Sequence, residues 1–153
     1  MTRDAIALRR YRPEDLEATV DVWRRSKRAA FPYVAVQQRY SLDDDTAHFR
    51  DVIAVTCDVW LAEVDGRVAG LLAPRGELID QLFVDVDCQG RGVGTALLRA
   101  AMQRSPNRLR LFTFQRNPGA RAFYERHGFR AEHFGVSAPP ENEPDVEYVW
   151  PSV

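Results

Sequence analysis

The chain is expected to fold as an α+β domain with helices packed on a mixed sheet, and three observations carry that expectation. Apolar periodicity runs in the order strand, two helices, three strands, helix, strand, helix and two strands, rather than in strict β-α alternation. Asp65-Gly66 joins two apolar runs as a two-residue hairpin turn, which makes the flanking strands antiparallel neighbours. Gly90, Gly92 and Gly94 interrupt the boundary between an apolar strand and an amphipathic helix.

Taken in order, Ala5 to Arg9 reads as a short strand, and Pro13 opens a helix whose apolar residues Leu16, Val20 and Trp23 recur at helical spacing. That helix ends before Pro32. The Pro-interrupted run from Ala29 to Tyr40 reads as a loop. A second helix starts near Asp43, where three successive aspartates favour the positive end of the helix dipole, and it buries Phe49 and Ile53. Val59 to Val64 and Arg67 to Ala73 form the hairpin strands. Leu78 to Val84 follows a turn at Pro74 to Gly76. In the helix after the glycines, Val93, Ala96, Leu97, Ala100 and Ala101 share the apolar face, and Pro106 closes the region. Leu109 to Phe114 is a strand. Asn117 caps a short helix with Pro118 at its first position and Gly128 beyond its end. Strands near Phe129 to Phe134 and Val146 to Trp150 finish the domain, which is expected to span 1–153.

Composition narrows the function classes. A formal net charge of −1 gives no basic footprint for nucleic acid or for an anionic membrane. No apolar run approaches the roughly 20 residues of a membrane span. Cys57 and Cys88 are too few for a disulfide framework or a zinc site, no leader pattern opens the chain, and no metal is expected, so a reducing cytoplasm is the expected home. Lys27 is the only lysine.

The glycine junction carries the chemistry. Helix-start N–H groups are unpaired and partly positive, so a turn stripped of side chains lets a diphosphate rest against them. A P-loop requires a Lys after the glycines, and none is present. A dinucleotide fold requires a third glycine where Thr95 stands, and a carboxylate about 20 residues on, where LRLFTF runs instead. Gln89, Gly92 and Gly94 instead form Q-x-x-G-x-G, and Asn117 to Phe129 reads NPGARAFYERHGF. Together these segments resemble the GNAT family of acetyl-coenzyme A-dependent N-acetyltransferases, the second through its N-x-x-A-x-x-F-Y-x-x-x-G-F pattern.

The resemblance implies a mostly antiparallel mixed sheet with a splayed central strand pair, acetyl-coenzyme A as cosubstrate, and direct transfer to a primary amine in a ternary complex. Gln89, Gly90, Arg91, Gly92, Val93, Gly94 and Thr95 would hold the diphosphate. The edge at Leu82, Phe83 and Val84 would pair with the amide-rich pantetheine arm as an added strand. Asn117 would cap its helix and touch the coenzyme. Tyr124 would protonate the departing thiolate. Proline is common in the family where Val86 stands, which leaves the approach to the turn less constrained.

A primary amine near pKa ~10.4 must lose a proton before it attacks. Where the family has a carboxylate base on the edge strand this chain has Leu78, so Asp80, on the same face by period two, is the first candidate, then Glu77, then a water chain. Cys88 reads as packing, and His48, His127 and His133 show no ligand spacing. Trp23, Phe31, Tyr33 and Tyr40 lie where the family shapes its acceptor pocket. After Arg130 the chain carries Glu132, Glu141, Glu143, Asp145 and Glu147 with no further Lys or Arg, a set able to draw in a cationic acceptor, either a small amine or a peptide amine. Such an enzyme would act as a monomer or homodimer. The rival from another class is a non-catalytic acyl-coenzyme A sensor, against which Tyr124 argues, because a sensor has no thiolate to protonate.

Overall fold

A computed structural model describes residues 5–151, so the outermost ends of the expected 1–153 span lie outside it. The strands are β1 (Ile6–Arg10), β2 (Trp60–Val64), β3 (Arg67–Arg75), β4 (Leu78–Val84), β5 (Leu109–Phe114), β6 (Arg130–Val136) and β7 (Pro144–Trp150). They form one sheet in the order β1-β2-β3-β4-β5-β7-β6. Every neighbouring pair is antiparallel except β4 and β5. The helices are α1 (Leu16–Ala30), α2 (Ala35–Arg39), α3 (Leu42–His48), α4 (Ala54–Thr56), α5 (Val93–Arg104) and α6 (Pro118–Arg126), with a π-helical turn at Phe49–Ile53 joining α3 to α4.

Both sheet faces are covered, and β3 shows how. Leu71 and Leu72 are adjacent and fully buried, yet they belong to different cores, because successive side chains of a strand point to opposite faces. Leu72 joins Leu97, Leu98, Leu109, Leu111 and Tyr148 under α5 and α6. Leu71 joins Val20, Trp23, Phe49 and Ile53 under α1 and α3. The hairpin turn has both Asp65 and Gly66 at positive φ, as a primed two-residue turn requires. Ser41 caps α3 by accepting from the Asp44 N–H, while the Asp44 carboxylate accepts from the Ser41 N–H.

Several boundaries differ from the sequence expectation. The stretch from Ala29 to Tyr40 is not wholly loop, since α1 runs to Ala30 and Ala35–Arg39 is helical. On α5, which packs on both β3 and β4, the buried positions are Val93, Leu97, Leu98 and Ala101, whereas Ala96 and Ala100 are only half-buried. The two last strands run longer, Arg130–Val136 and Pro144–Trp150, since they pair along their whole length.

The most consequential difference lies at Pro74. The expected turn at Pro74 is instead strand: β3 continues through this buried proline to Arg75. Ala73 pairs with Gln81 and Pro74 with Ile79, so Asp80 is an extra, bulged residue on β4. A proline has no N–H for the ladder and is tolerated inside a sheet mainly at bulges, and a bulge bends its strand. On its other side β4 pairs with β5 only at Leu78 and Ile79, immediately before that bulge. The bend at Asp80 therefore opens the central strand pair from Gln81 onward.

Candidate active site

Two cavities meet in the gap between β4 and β5. The first, about 520 Å³, runs from Leu82, Phe83 and Val84 along the glycine turn to the start of α6. The second, about 740 Å³, lies under α1, α2 and α3 and is closed by the β6–β7 loop. Leu82, Phe83, Asn117, Ala120 and Tyr124 line both.

The glycine turn has the geometry of an anion cradle. Gly90 and Gly92 both have positive φ, at 79° and 87°, and Gly92 is the N-cap of α5. The first bond across the helix start runs from the Ala96 N–H to the Gly92 carbonyl, so the N–H groups of Val93, Gly94 and Thr95 have no helical acceptor. Gly94 is favoured for a different reason: a Cβ there would lie 3.2 Å from the Phe123 ring, which would have to give way. These features fit the diphosphate of a coenzyme, held by backbone donors and the helix dipole. Val93 contributes only backbone, since its side chain is in the core. Gln89, Gly90 and Arg91 are exposed along the turn.

Asp85 fixes the entry to this turn. It is 4% exposed and takes two hydrogen bonds from Arg25 of α1, at 2.8 and 2.9 Å. Burial pushes its carboxyl upward, but Arg25 and the Asp87 N–H outweigh that and hold it below the ordinary carboxylate range. No local pattern marks this pair, because Arg25 and Asp85 lie on separate elements. Val86, where the family commonly has proline, is exposed and leaves the turn intact.

Beyond Ile79, the edge of β4 at Leu82, Phe83 and Val84 has no β5 partner. The Val84 carbonyl accepts from the Ser26 hydroxyl of α1 at 3.0 Å, so α1 is docked directly on this edge. Cys88 is half-buried in the wall of the smaller cavity and packs against the core.

Tyr124 is held on α6 at the junction of the cavities and is 9% exposed. Its ring packs against Phe123, Phe129 and Tyr148. Burial pushes its hydroxyl well above the ordinary tyrosine range, so the group stays protonated at neutral pH and acts as a donor. Asn117 caps the same helix, its Oδ1 accepting from the Ala120 N–H at 3.2 Å. His127 ties this helix to the cradle. Its Nδ1 lies 2.8 Å from the Phe123 carbonyl, which can only accept, so in the neutral ring Nε2 accepts from Thr95 Oγ1 at 3.2 Å. The sequence offered only the helical position of His127, not this partner.

The larger cavity is acidic. Asp44, Asp45, Asp80, Glu141 and Asp145 line it, against Lys27 and His48. Asp80 is half-buried, accepts from Gln81 Nε2 at 3.1 Å and lies 3.9 Å from Arg75. Its place in the cavity comes from the bulge rather than from simple alternation with Leu78. Asp145, at the start of β7, is also half-buried, and burial raises its carboxyl above the usual range, opposed by the charge of His133. Glu77 is exposed and does not line the cavity.

The acidic run after Arg130 divides on inspection. Glu143 is a buried partner of Arg116, receiving two hydrogen bonds at 2.7 Å, and Glu147 pairs with Arg110. Glu132 pairs with Arg130. Only Glu141 and Asp145 of this set reach the cavity. Trp23, Phe31 and Tyr40 line it as expected, and Trp23 donates from Nε1 to Gln81 at 3.0 Å. Tyr33 does not; its ring packs on Phe114 with the Arg116 guanidinium 4.3 Å from the ring centre.

Comparison with known proteins adds the following. Residues 56–131 match the family model described as acetyltransferase (GNAT) domain. The peptidyl-lysine N-acetyltransferase YjaB of Escherichia coli is 32% identical over 127 residues, covering 82% of each chain. The protein of the same name from Salmonella typhimurium is 30% identical over 126 residues, covering 82% of this chain and 83% of that protein. The solution structure of apo-form YjaB from Escherichia coli superposes with a TM-score of 0.76 at 25% identity, covering 97% of this chain and 99% of the other.

Proposed function

This chain belongs to the GNAT family and is an N-acetyltransferase, and from that premise we propose that it moves acetyl from acetyl-coenzyme A directly to the side-chain amine of a lysine in a peptide or protein. The observation that carries the reading is the position of Tyr124, a protonated hydroxyl common to the cradle cavity and to an acidic acceptor cavity. The names of the YjaB relatives favour peptidyl-lysine over a small polyamine, and the cavity carboxylates suit either cation.

In this reading the α5 N–H groups and the glycine turn hold the diphosphate, and the β4 edge that β5 leaves unpaired takes the pantetheine amides. The coenzyme supplies an activated acyl group as a thioester. Most of the acceleration then comes from positioning the amine beside that group in a cleft shielded by α1 and the β6–β7 loop. Tyr124 gives a proton to the leaving sulfur. Asp80 takes the proton of the incoming ammonium. Asp145 is the second candidate for that role, favoured by its raised carboxyl in the same cavity.

The test is a panel of acceptors with thiol release and product mass both recorded: a lysine peptide, the same peptide with arginine for lysine, spermidine and an acidic amine. The lysine peptide should be acetylated fastest. Binding of acetyl-coenzyme A, seen as a raised Tm, with no thiol release for any amine would sink the transferase reading in favour of a sensor.

A further inference from the structure

Lys27 has no part in the transfer described above, yet it is built into the acceptor cavity. It is 7% exposed, and its Nζ lies 3.4 Å from the centre of the Trp23 ring, 3.3 Å from Gln37 Oε1 and 3.5 Å from Asp45 Oδ1. Its neighbour on α1, Ser26, lines the other cavity and bonds the β4 edge, so consecutive residues of one helix face the two cavities. Lys27 is also the only lysine of the chain. An amine fixed in the acceptor cavity of an amine acetyltransferase is a resident competitor for the acetyl group.

We propose that Lys27 is itself an acetyl acceptor: with acetyl-coenzyme A bound and no substrate amine present, its Nζ takes the acetyl group and the acetylated side chain then obstructs the acceptor cavity. The inference rests on the acetyl-transfer reading. In the step, the neutral Nζ forms the new C–N bond to the acetyl carbonyl carbon, the C–S bond breaks, and one N–H proton ends on the coenzyme thiol. No other reactant is needed. Burial lowers the Lys27 ammonium to about 8, with Asp45 opposing, so about a tenth of the amine is neutral at pH 7 and the fraction rises with pH.

The product can be accommodated. Loss of the Lys27 charge does not strand Asp45, which keeps the Arg24 guanidinium at 2.8 Å. The new amide retains an N–H for Gln37, and the Trp23 face loses only its cation contact.

The experiment incubates the full chain with acetyl-coenzyme A and no acceptor, follows intact mass, and maps the adduct by peptide digestion. A single acetyl group on Lys27 is expected, at a rate independent of protein concentration. It should be absent in Lys27→Arg, where mapping separates it from the chain's terminal amine, and slowed at least about tenfold in Tyr124→Phe. Wild-type protein so treated should acetylate a lysine peptide more slowly than untreated protein. No adduct on Lys27, or one forming equally fast in Tyr124→Phe, overturns the inference. Peptide turnover by the untreated protein, run in parallel, tells whether the acetyl-transfer reading falls with it.

Discussion

The coenzyme side and the acceptor side of this cleft are built from different parts of the chain's chemistry. The coenzyme side is mostly backbone: positive-φ glycines, the first N–H groups of α5 and a strand edge left without a partner. The acceptor side is mostly side chains, contributed by α1, α2, α3, β4, β5, α6, β7 and the β6–β7 loop. Backbone sites demand particular residues at fixed spacing, because glycine is strongly favoured where φ is 79° or 87° and where a Cβ would press on a ring 3.2 Å away. Side-chain sites are assembled by folding, from residues that read as ordinary surface or core in sequence.

Breaking the backbone side should have the largest effect. Gly92→Val places a β-branched residue at a φ of 87°, which disturbs the cap and the donors behind it. Acetyl-coenzyme A affinity should fall by at least about tenfold and the coenzyme-induced rise in Tm should vanish. A variant that melts like wild type and still binds the coenzyme normally would show that the cradle is not the diphosphate site.

Tyr124→Phe sits between the two sides and separates them. Its removal should lower kcat by about a hundredfold while coenzyme affinity stays within about threefold, since the hydroxyl acts on the leaving thiolate. Unchanged kcat with a good lysine peptide would reduce Tyr124 to a packing residue.

What could be read in the sequence follows the same division. The hairpin at Asp65-Gly66, the strand Leu109–Phe114, the Asn117 cap and the glycine cradle all rest on local chemistry, and the structure contains each of them. The short α2 was hidden because Pro32 marks the start of the segment while nothing marks Ala35–Arg39 as helical until it packs. Pro74 looked like a turn residue because its missing N–H suits a turn and a bulge equally; which of the two it makes depends on the partner strand. The Arg25–Asp85 and Arg116–Glu143 pairs join residues distant in sequence, so the acidic run after Arg130 looked more available than it is.

Pro74 also offers a way to sharpen the comparison. Pro74→Val tests whether the proline ring holds the bulge opposite Asp80. The Pro74 carbonyl accepts from the Asp58 N–H on the β2 side at 2.9 Å, so the change leaves the β4-facing donors as they are and removes only the rigid ring. That should let β4 draw toward regular pairing and narrow the gap after Ile79. Coenzyme affinity should drop several-fold with the glycine turn untouched. If affinity holds, the splay is maintained by the packing of α1 and α6 rather than by the bulge.

The carboxylates test the acceptor side alone. Asp80→Asn and Asp145→Asn should leave coenzyme affinity unchanged, and the one that serves as base should lower kcat by about tenfold or more. Asp145 has the raised carboxyl, so if it is the base, the acid limb of the rate profile lies above the ordinary carboxylate range and disappears in Asp145→Asn. A limb unchanged in both variants would assign proton removal to water.

The smallest expected effect concerns attraction of the acceptor, and the ion pairs make it specific. Glu143 is neutralised by two hydrogen bonds from Arg116, whereas Glu141 accepts from Gln37 Nε2 at 2.8 Å and faces the cavity, where among the described residues it forms no ion pair and feels the Lys27 charge only through space. A neutral amide donor leaves the charge of Glu141 in place, so its field reaches an approaching ammonium, though salt shortens that reach to about 8 Å at physiological ionic strength. Glu141→Gln should therefore lower kcat/KM for a lysine peptide by about twofold to fivefold at low salt and reduce its salt dependence. Glu143→Gln should leave the salt slope alone and act through the loop, which Arg116 anchors, by lowering Tm. Equal salt slopes for wild type and Glu141→Gln would assign steering to Asp145 and the other carboxylates deeper in the cavity, or remove it altogether if lysine and acidic acceptors respond alike.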